Sequence, residues 1–422
     1  MMARYLYSAF FYLITPLILL RLFYRAGKAP AYGQRIAERF GFFTAPRLEN
    51  TIWVHAVSVG ETIAAAPLVK RLQQQYPDAS IVVTTMTPTG SDRVRALFGD
   101  SVFHVYAPYD LPGSILRFIK RLQPKLLVIM ETELWPNTIH YCHRSAIPVV
   151  LANARLSAKS AAGYQRLSWL TGAMLNNLSK VVAQNRADAE RFLALGLADN
   201  KVVVSGSIKF DVVIDQTLIS KAEVLKYQWS HQGQRLIIIA ASTHQGEDEI
   251  ILEAFKQVIE KISNALLIIV PRHPERFDQV AGLCEESFSV ARRSQSDTVS
   301  TETQVLVGDT MGELLWLYGC ADIAFVGGSL VNSGGHNMLE PAAWSLALIT
   351  GNSDFNFAEA SRLLQQRSAL YIANDSASLA KKMILLGQSA SLRFETGVNA
   401  KAVVEQNRGA LGRLLLVLER FL

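Results

Sequence analysis

The stretch Thr51-Ile-Trp-Val-His-Ala-Val-Ser-Val-Gly-Glu-Thr62 decides the fold class of this 422-residue chain. A β-branched apolar run ends in a small-residue turn, and IAAAPLVKRLQQQ follows with apolar residues at helical spacing. Strand, glycine turn and helix start, in that order, open a parallel α/β unit. Such turns usually hold an anion, because free backbone N–H groups and the helix dipole attract negative charge. Here Glu61 sits in the turn, where its charge would repel one. The question is what a carboxylate does at that mouth.

Downstream, the same pattern repeats. SIVVTTM, FHVYAP, KLLVIME, IPVVLANA and KVVVSG read as further strands, separated by helical stretches over 62–75, 90–98, 112–122 and 160–178. A break falls near GSIKFDVVIDQT, residues 206–217, and the alternation restarts with RLIIIAAST, ALLIIVPR, QVLVGD, DIAFVGG, LALIT and ALYI. Two series of five or six buried strands imply two doubly wound, Rossmann-like α/β domains. Ligands in such sheets collect outside the carboxyl ends of the strands, so a cleft between the domains is the expected site. The amphipathic C-terminal segment KAVVEQNRGALGRLLLVLERFL has three readings open: packing back on the first domain, a partner surface, or a membrane surface.

Upstream, YLYSAFFYLITPLILL at residues 5–20 carries no charge and extends through Arg21 and LFY to Tyr24. Residues 1–48 hold seven Lys or Arg against Glu38 alone, whereas the rest of the chain balances to zero. The basic excess therefore belongs to the N-terminus and not to a nucleic-acid face. A short apolar run flanked by basic and aromatic residues reads as a membrane anchor on an anionic, cytoplasmic leaflet, spanning or lying in the plane. No small-residue cleavage site follows, as a removed signal peptide would need. Cys142, Cys284 and Cys320 are scattered and odd in number, which gives neither a disulfide framework nor a zinc site.

The second half carries the groups suited to a ligand. In FVGGSLVNSGGHNMLEPAAW, residues 325–344, a strand ends in Gly327-Gly328 and a helix is expected to open at His336 or Asn337. The helix end would face an anion, and Glu340 would accept ribose hydroxyls. In VPRHPER, Arg272 and His273 at a strand terminus suit a phosphate. In GDTMGEL, Met311 and Gly312 suit a flat base, although Asp-Thr before a helix is equally an ordinary N-cap. There is no GxxxxGK(S/T) loop, no GxGxxG on the first turn and no GxSxG elbow around Ser242. Kinase, ATPase, dehydrogenase and serine-hydrolase readings lose support accordingly. His140 and His143 lack a third ligand nearby, and Glu131-Thr-Glu133 resembles an acidic clamp without a DxD sequence.

Taken together, HAVSVGET, TTMTPTG, METELWPN, NARLS, GSIKFD, PRHPERF, GDTMGEL and FVGGSLVNSGGHNMLEPA resemble the 3-deoxy-D-manno-octulosonic acid (Kdo) transferases of lipid A assembly. The resemblance runs over nearly the whole chain, with small departures at Ser333 and Met338; composition and spacing alone stop at a two-domain nucleotide-sugar enzyme at a membrane. It implies a GT-B fold and inverting transfer of Kdo from CMP-Kdo to a hydroxyl of the lipid A precursor lipid IVA, without metal or cofactor. It implies Glu61 as general base, with Glu131 and Lys209 stabilising the transition state. CMP would contact Pro271, Arg272, Met311, Gly312, Glu313 and the run Asn337, Met338, Leu339 and Glu340.

The helix end should keep Glu61 ionised and thereby weaken it as a base, so closeness to the hydroxyl must compensate. The expected divisions are an anchor over 1–24, a basic juxtamembrane segment over 25–50, an acceptor-side domain over 51–206, a CMP-Kdo-binding domain over 207–400 and a C-terminal helix over 401–422. The expected location is the cytoplasmic face of a bacterial inner membrane. Two rivals stand beside this reading. One is a UDP-sugar transferase or nucleotide-sugar epimerase of similar architecture, and the other is a non-catalytic membrane-tethered scaffold.

Overall fold

Continuous β-branched runs are stable only as strands covered on both faces, which requires helices on each side of a parallel sheet. A computed structural model describing residues 2–295 and 298–422 has this arrangement twice. The chain divides into a first unit, residues up to Asp211 with Arg408–Leu422, and a second, Val212–Asn407.

The first unit begins with helix α1 (Met2–Lys28) and continues through two short 3-10 turns into β1 (Ile52–His55). Then come α2 (Val59–Gln75), β2 (Ile81–Thr85), α3 (Pro88–Phe98), β3 (Phe103–Tyr106), α4 (Pro112–Leu122), β4 (Leu126–Met130) and α5 (Pro136–Arg144). β5 (Val149–Ala154), α6 (Ala158–Arg166), α7 (Ser168–Asn176), β6 (Lys180–Ala183) and β7 (Val202–Val204) complete the sheet. Its order is β3-β2-β1-β4-β5-β6-β7, all parallel. Side chains alternate across it. Ile52 and Val54 pack with Leu68 and Leu72 of α2, whereas Trp53 packs on the other face with Ile115 and Phe118 of α4.

The final helix, Ala410–Leu418, adds Leu414, Leu415 and Leu418 to the α2 face, so among its three readings the chain uses the first. Each such leucine contributes about 1.5–3 kcal/mol of burial. Its start is fixed by Asp211, whose carboxylate accepts the N–H groups of Gly409 and Leu411, both at 2.6 Å. The division falls beside this clasp, at Asp211 and Arg408, a few residues beyond the expected boundaries at 206 and 400.

The second unit holds β8 (Ile237–Thr243), β9 (Leu266–Pro271), β10 (Val290–Arg292), β11 (Val305–Val307), β12 (Ile323–Val326), β13 (Ala347–Thr350) and β14 (Leu370–Ile372). The order is β10-β11-β9-β8-β12-β13-β14, again parallel throughout. β8 and β9 are buried at every position, as the apolar runs IIIAA and LLIIVP require.

Three features differ from the sequence reading. β6 and β10 were not expected; Lys180 and Arg292 fall within these short strands and leave little of an apolar run to read. The helix expected over 160–178 breaks at Leu167, where the backbone leaves helical angles and α7 starts afresh. The helix expected at His336 or Asn337 opens only at Leu339 and spans five residues.

Candidate functional site

In each sheet the strand order reverses at one place, and there the connections leave in opposite directions and open a crevice at the carboxyl edge. In the first unit that place is between β1 and β4, in the second between β8 and β12. The sequence-derived residues gather at these edges.

Ser58 caps α2 and accepts the Glu61 N–H at 3.2 Å, while its hydroxyl donates to Glu61 Oε1 at 2.9 Å. The N–H of Val57 donates to Oε2 at 2.9 Å. This variant of the capping box fixes the carboxylate against its own turn. Glu61 is only 9% exposed, and burial together with the negative charges of Glu133 and Glu131 raises its pKa to about 7 against the Val57 and Ser58 hydrogen bonds. The expectation that the helix end would hold Glu61 ionised is therefore corrected: desolvation outweighs the dipole and the hydrogen bonds. A base that titrates near neutral pH is a stronger proton acceptor than one held near 4.

Glu131, at the end of β4, takes a left-handed backbone (φ 54°) and lies 3.9 Å from Lys209 Nζ. Lys209 rides on the turn Ile208–Phe210, whose first N–H donates to Asn153 Oδ1 at the end of β5 at 3.2 Å. Glu133 accepts the Trp135 indole N–H at 2.9 Å, and burial raises its pKa, with Glu131 adding to the rise. Trp135 meets His55 edge-on at 4.8 Å; burial lowers the His55 pKa to about 3, so the ring is neutral. The structure thus brings Glu61, Glu131 and Lys209 to one edge.

At the second edge the central residue was not expected. Glu247, fully buried, accepts the N–H groups of His244 (2.9 Å), Gly328 (2.6 Å), Ser329 (3.0 Å) and Leu330 (2.9 Å). Its carboxylate fills the backbone nest after β12 that the paired glycines were expected to offer to a ligand. Gly327 is required by packing instead, since a Cβ there would stand 2.6 Å from the Ser242 carbonyl oxygen. The only sequence signal is the acidic run HQGEDE after a strand, which reads equally as a helix start.

Around this plug stand basic side chains. The Nε2 atoms of His244 and His336 are 2.7 Å apart, so one ring donates and the other accepts. Burial, then the charge of Arg272, lowers the His336 pKa to about 4, and burial lowers His244 as well. Arg272, on the loop after β9, is exposed and forms no ion pair among the described residues, whereas neighbouring Arg276 pairs with buried Asp248. Asn337 Nδ2 donates to Glu340 Oε1 at 3.0 Å; burial raises the Glu340 pKa against that bond and Arg272.

Of the remaining expected contacts, Met338 and Leu339 have buried side chains, so only their backbone is offered. Pro271 is buried at the end of β9. Met311 is 62% exposed, and Gly312 (φ 80°) has open space where a Cβ would sit. Glu313 is bound by Arg293 at 2.9 Å, Thr310 at 2.7 Å and Lys221 at 3.4 Å, which together hold its pKa down against burial. Asp309 serves Ser294 and Arg292 instead of capping the next helix. Among the described residues, no group of three or more His, Cys, Asp or Glu is placed to hold a metal ion.

Residues 34–212 match the family described as 3-deoxy-D-manno-octulosonic-acid transferase (kdotransferase). The 3-deoxy-D-manno-octulosonic acid transferase of Haemophilus influenzae is 46% identical over 426 residues, covering 100% of this chain and 99% of that one. The Bordetella pertussis protein of the same description is 33% identical over 438 residues, with 100% of both covered. A glycosyltransferase structure from Rickettsia africae superposes with a TM-score of 0.54 at 15% identity, covering 88% of this chain and 98% of that one. The UDP-GlcNAc 2-epimerase of Neisseria meningitidis does so with 0.56 at 13% identity, over 88% and 100%. The epimerase shares the fold alone, and the scaffold rival gives way to end-to-end identity with enzymes. That identity places the chain in the 3-deoxy-D-manno-octulosonic acid (Kdo) transferase family, glycosyltransferases of the GT-B fold.

Proposed function

We propose that the chain moves Kdo from CMP-Kdo to a hydroxyl of lipid IVA with inversion and without a metal, and that Glu61 is the general base. The observation that carries this reading is a carboxylate with a pKa of about 7 at the switch point of the first sheet. A sugar hydroxyl is a poor nucleophile until its proton is taken as the new bond forms. Glu61 accepts that proton, the hydroxyl oxygen attacks the anomeric carbon from the face opposite the phosphate, and the bond from that carbon to the phosphate oxygen breaks. CMP leaves with the electron pair. Lys209, oriented by Glu131, and Arg272 supply the positive charge that the carboxylate of Kdo and the departing phosphate require. Asn337 and Glu340 take the nucleotide's ribose, and the 308–313 turn takes its base.

The apolar α1 is read as the anchor that holds the chain at the cytoplasmic face of the inner membrane, where a lipid-borne acceptor resides. By length and composition this helix is capable of crossing a membrane. The test is radiolabel transfer from CMP-Kdo to lipid IVA in EDTA, comparing wild type with Glu61→Gln. Wild-type transfer in EDTA, lost in the variant with CMP affinity retained, is the expected result. Normal transfer by the variant overturns the base assignment, and wild-type activity abolished by EDTA overturns metal independence.

A further inference from the structure

Helix α1 is apolar overall, yet it carries a polar stripe. Arg4, Tyr7 and Ser8 are three or four residues apart and share one face. Arg4 Nη1 donates to Asn137 Oδ1 at 3.1 Å, and Ser8 Oγ donates to the same oxygen at 3.0 Å. Tyr7 Oη donates to Asp110 Oδ2 at 2.9 Å. The acceptors are themselves buried and fixed, because the Asp110 carboxylate also accepts the N–H groups of Asn137 and Thr138 at the start of α5. The N-terminal end of α1 is therefore docked on the first unit. Further along, Tyr12 Oη accepts the Gly113 N–H at 3.3 Å.

Past the other end, the chain runs back onto the same unit. Leu22 is buried, and in the second 3-10 turn beyond α1 Arg39 is 2% exposed, with its guanidinium 4.3 Å over the ring of Tyr106. Gly41 (φ 76°) lies so close to α4 that a Cβ would stand 2.6 Å from the Ser114 carbonyl oxygen.

The opposite face is bare. Leu6, Phe10, Leu13, Leu17, Leu20 and Tyr24, spaced four and three apart, are each more than half exposed. Nearby, α7 exposes Trp169 and the segment before β1 exposes Phe42, which lies under the guanidinium of Arg117 at 4.4 Å. Arg21, Arg25 and Lys28 are exposed at the C-terminal end, and α1 contains no acidic residue.

A helix of this length is about 40 Å long, enough to cross a hydrocarbon core of about 30 Å. Crossing would place its two ends in different compartments, whereas the N-terminal end is hydrogen-bonded to the first unit and the C-terminal end leads directly into it. A helix fixed along a domain, apolar outward and basic at its edge, has the form of an in-plane anchor.

We propose that α1 lies in the plane of the membrane interface instead of crossing it, with the Leu6–Tyr24 face in the headgroup–acyl boundary of an anionic leaflet. Both of its ends share the compartment of the first unit. The inference rests on the anchor reading given above and sharpens it. The apolar stripe and its basic rim commit the surface to an anionic bilayer, and the docked polar stripe sets its orientation.

The test uses the full chain with one introduced cysteine, Met2→Cys or Lys28→Cys. Both positions are exposed and the three native cysteines are buried, so the wild-type background is low. A membrane-impermeant maleimide is applied to inverted inner-membrane vesicles and to intact right-side-out cells. Labelling of both variants in inverted vesicles, and its loss in intact cells, is expected. Labelling of Met2→Cys only from the opposite side overturns the in-plane geometry while leaving an anchor in place. Recovery of the wild-type chain in the soluble fraction overturns the anchor reading itself, and the inference with it.

Discussion

The pKa of Glu61 sets a pH profile that few other arrangements would produce. With a value of about 7, roughly a tenth of the molecules carry an ionised Glu61 at pH 6 and roughly nine-tenths at pH 8. kcat/KM should therefore rise about tenfold between these values and level off above. The same shift has a stability side. The folded pKa is raised above the ordinary carboxyl value of 4.5, so the contribution of protonated Glu61 is fully present below about 4.5 and is lost as pH rises through 7.

At pH 8 an ionised Glu61 in this site then costs about 3 kcal/mol, an order-of-magnitude figure for a group only 9% exposed. Glu61→Gln removes that cost. The variant should lose about 10²–10⁴ in kcat and yet melt a few degrees higher than wild type at pH 8. At pH 4 the gain should vanish. Glu133→Gln, which removes the larger of the two neighbouring charges, should move the acid limb of the rate profile to lower pH. The assays are initial-rate transfer at subsaturating CMP-Kdo and calorimetric melting across the same pH range. A rate flat from pH 6 to 8, or a Gln variant no more stable at pH 8 than at pH 4 relative to wild type, would refute the reasoning.

Three further outcomes are expected. Glu247→Ala leaves four N–H groups without their acceptor and should destabilise the second unit by about 3 kcal/mol or more, read as a fall in melting temperature; a loss below about 1 kcal/mol would mean the nest does not depend on the carboxylate. Arg272→Ala, exposed and without an ion pair among the described residues, should weaken CMP binding about 10- to 100-fold in titration calorimetry with the circular dichroism unchanged. Asp211→Ala should cost about 1–2 kcal/mol and speed amide hydrogen exchange over residues 409–418, and unchanged exchange there would show that the leucine contacts alone hold the last helix.

What the sequence revealed follows from the range of the forces involved. Strand–helix alternation is local, so both sheets were legible from TIWV, LLVIM, IIIAAST and LLIIVP. β6 and β10 were not, because Lys180 and Arg292 interrupt their short apolar runs and their pairing is set by neighbours that only the fold supplies. Glu61, Glu131 and Lys209 were placed by resemblance, and the fold supplies the physical reason: they follow β1, β4 and β7 and so meet at one sheet edge. The charge state of Glu61 was misjudged because the capping turn is visible locally, whereas burial is a property of the fold and Glu131 and Glu133 are some seventy residues away in the chain.

The Glu247 plug shows why a glycine-rich loop is an ambiguous signal. Free N–H groups attract any anion, and a carboxylate from the same unit competes with a ligand at effectively high local concentration. Once Glu247 has taken the N–H groups of Gly328, Ser329 and Leu330, they cannot bind a phosphate; nor does the five-residue helix beyond them carry more than a small dipole. On the proposed reading, an anionic nucleotide at this edge would be met by side chains and by the backbone beyond Gly335, not by the nest that Glu247 fills. Arg272 is the cation there without an ion pair among the described residues, and the His244–His336 pair supplies a single neutral hydrogen bond. The two edges thus differ in kind. The first gathers carboxylates whose mutual repulsion and burial hold a proton-accepting group near neutrality. The second satisfies the 328–330 nest internally, and on the proposed reading Arg272 is the cation it leaves to meet the charge of the donor.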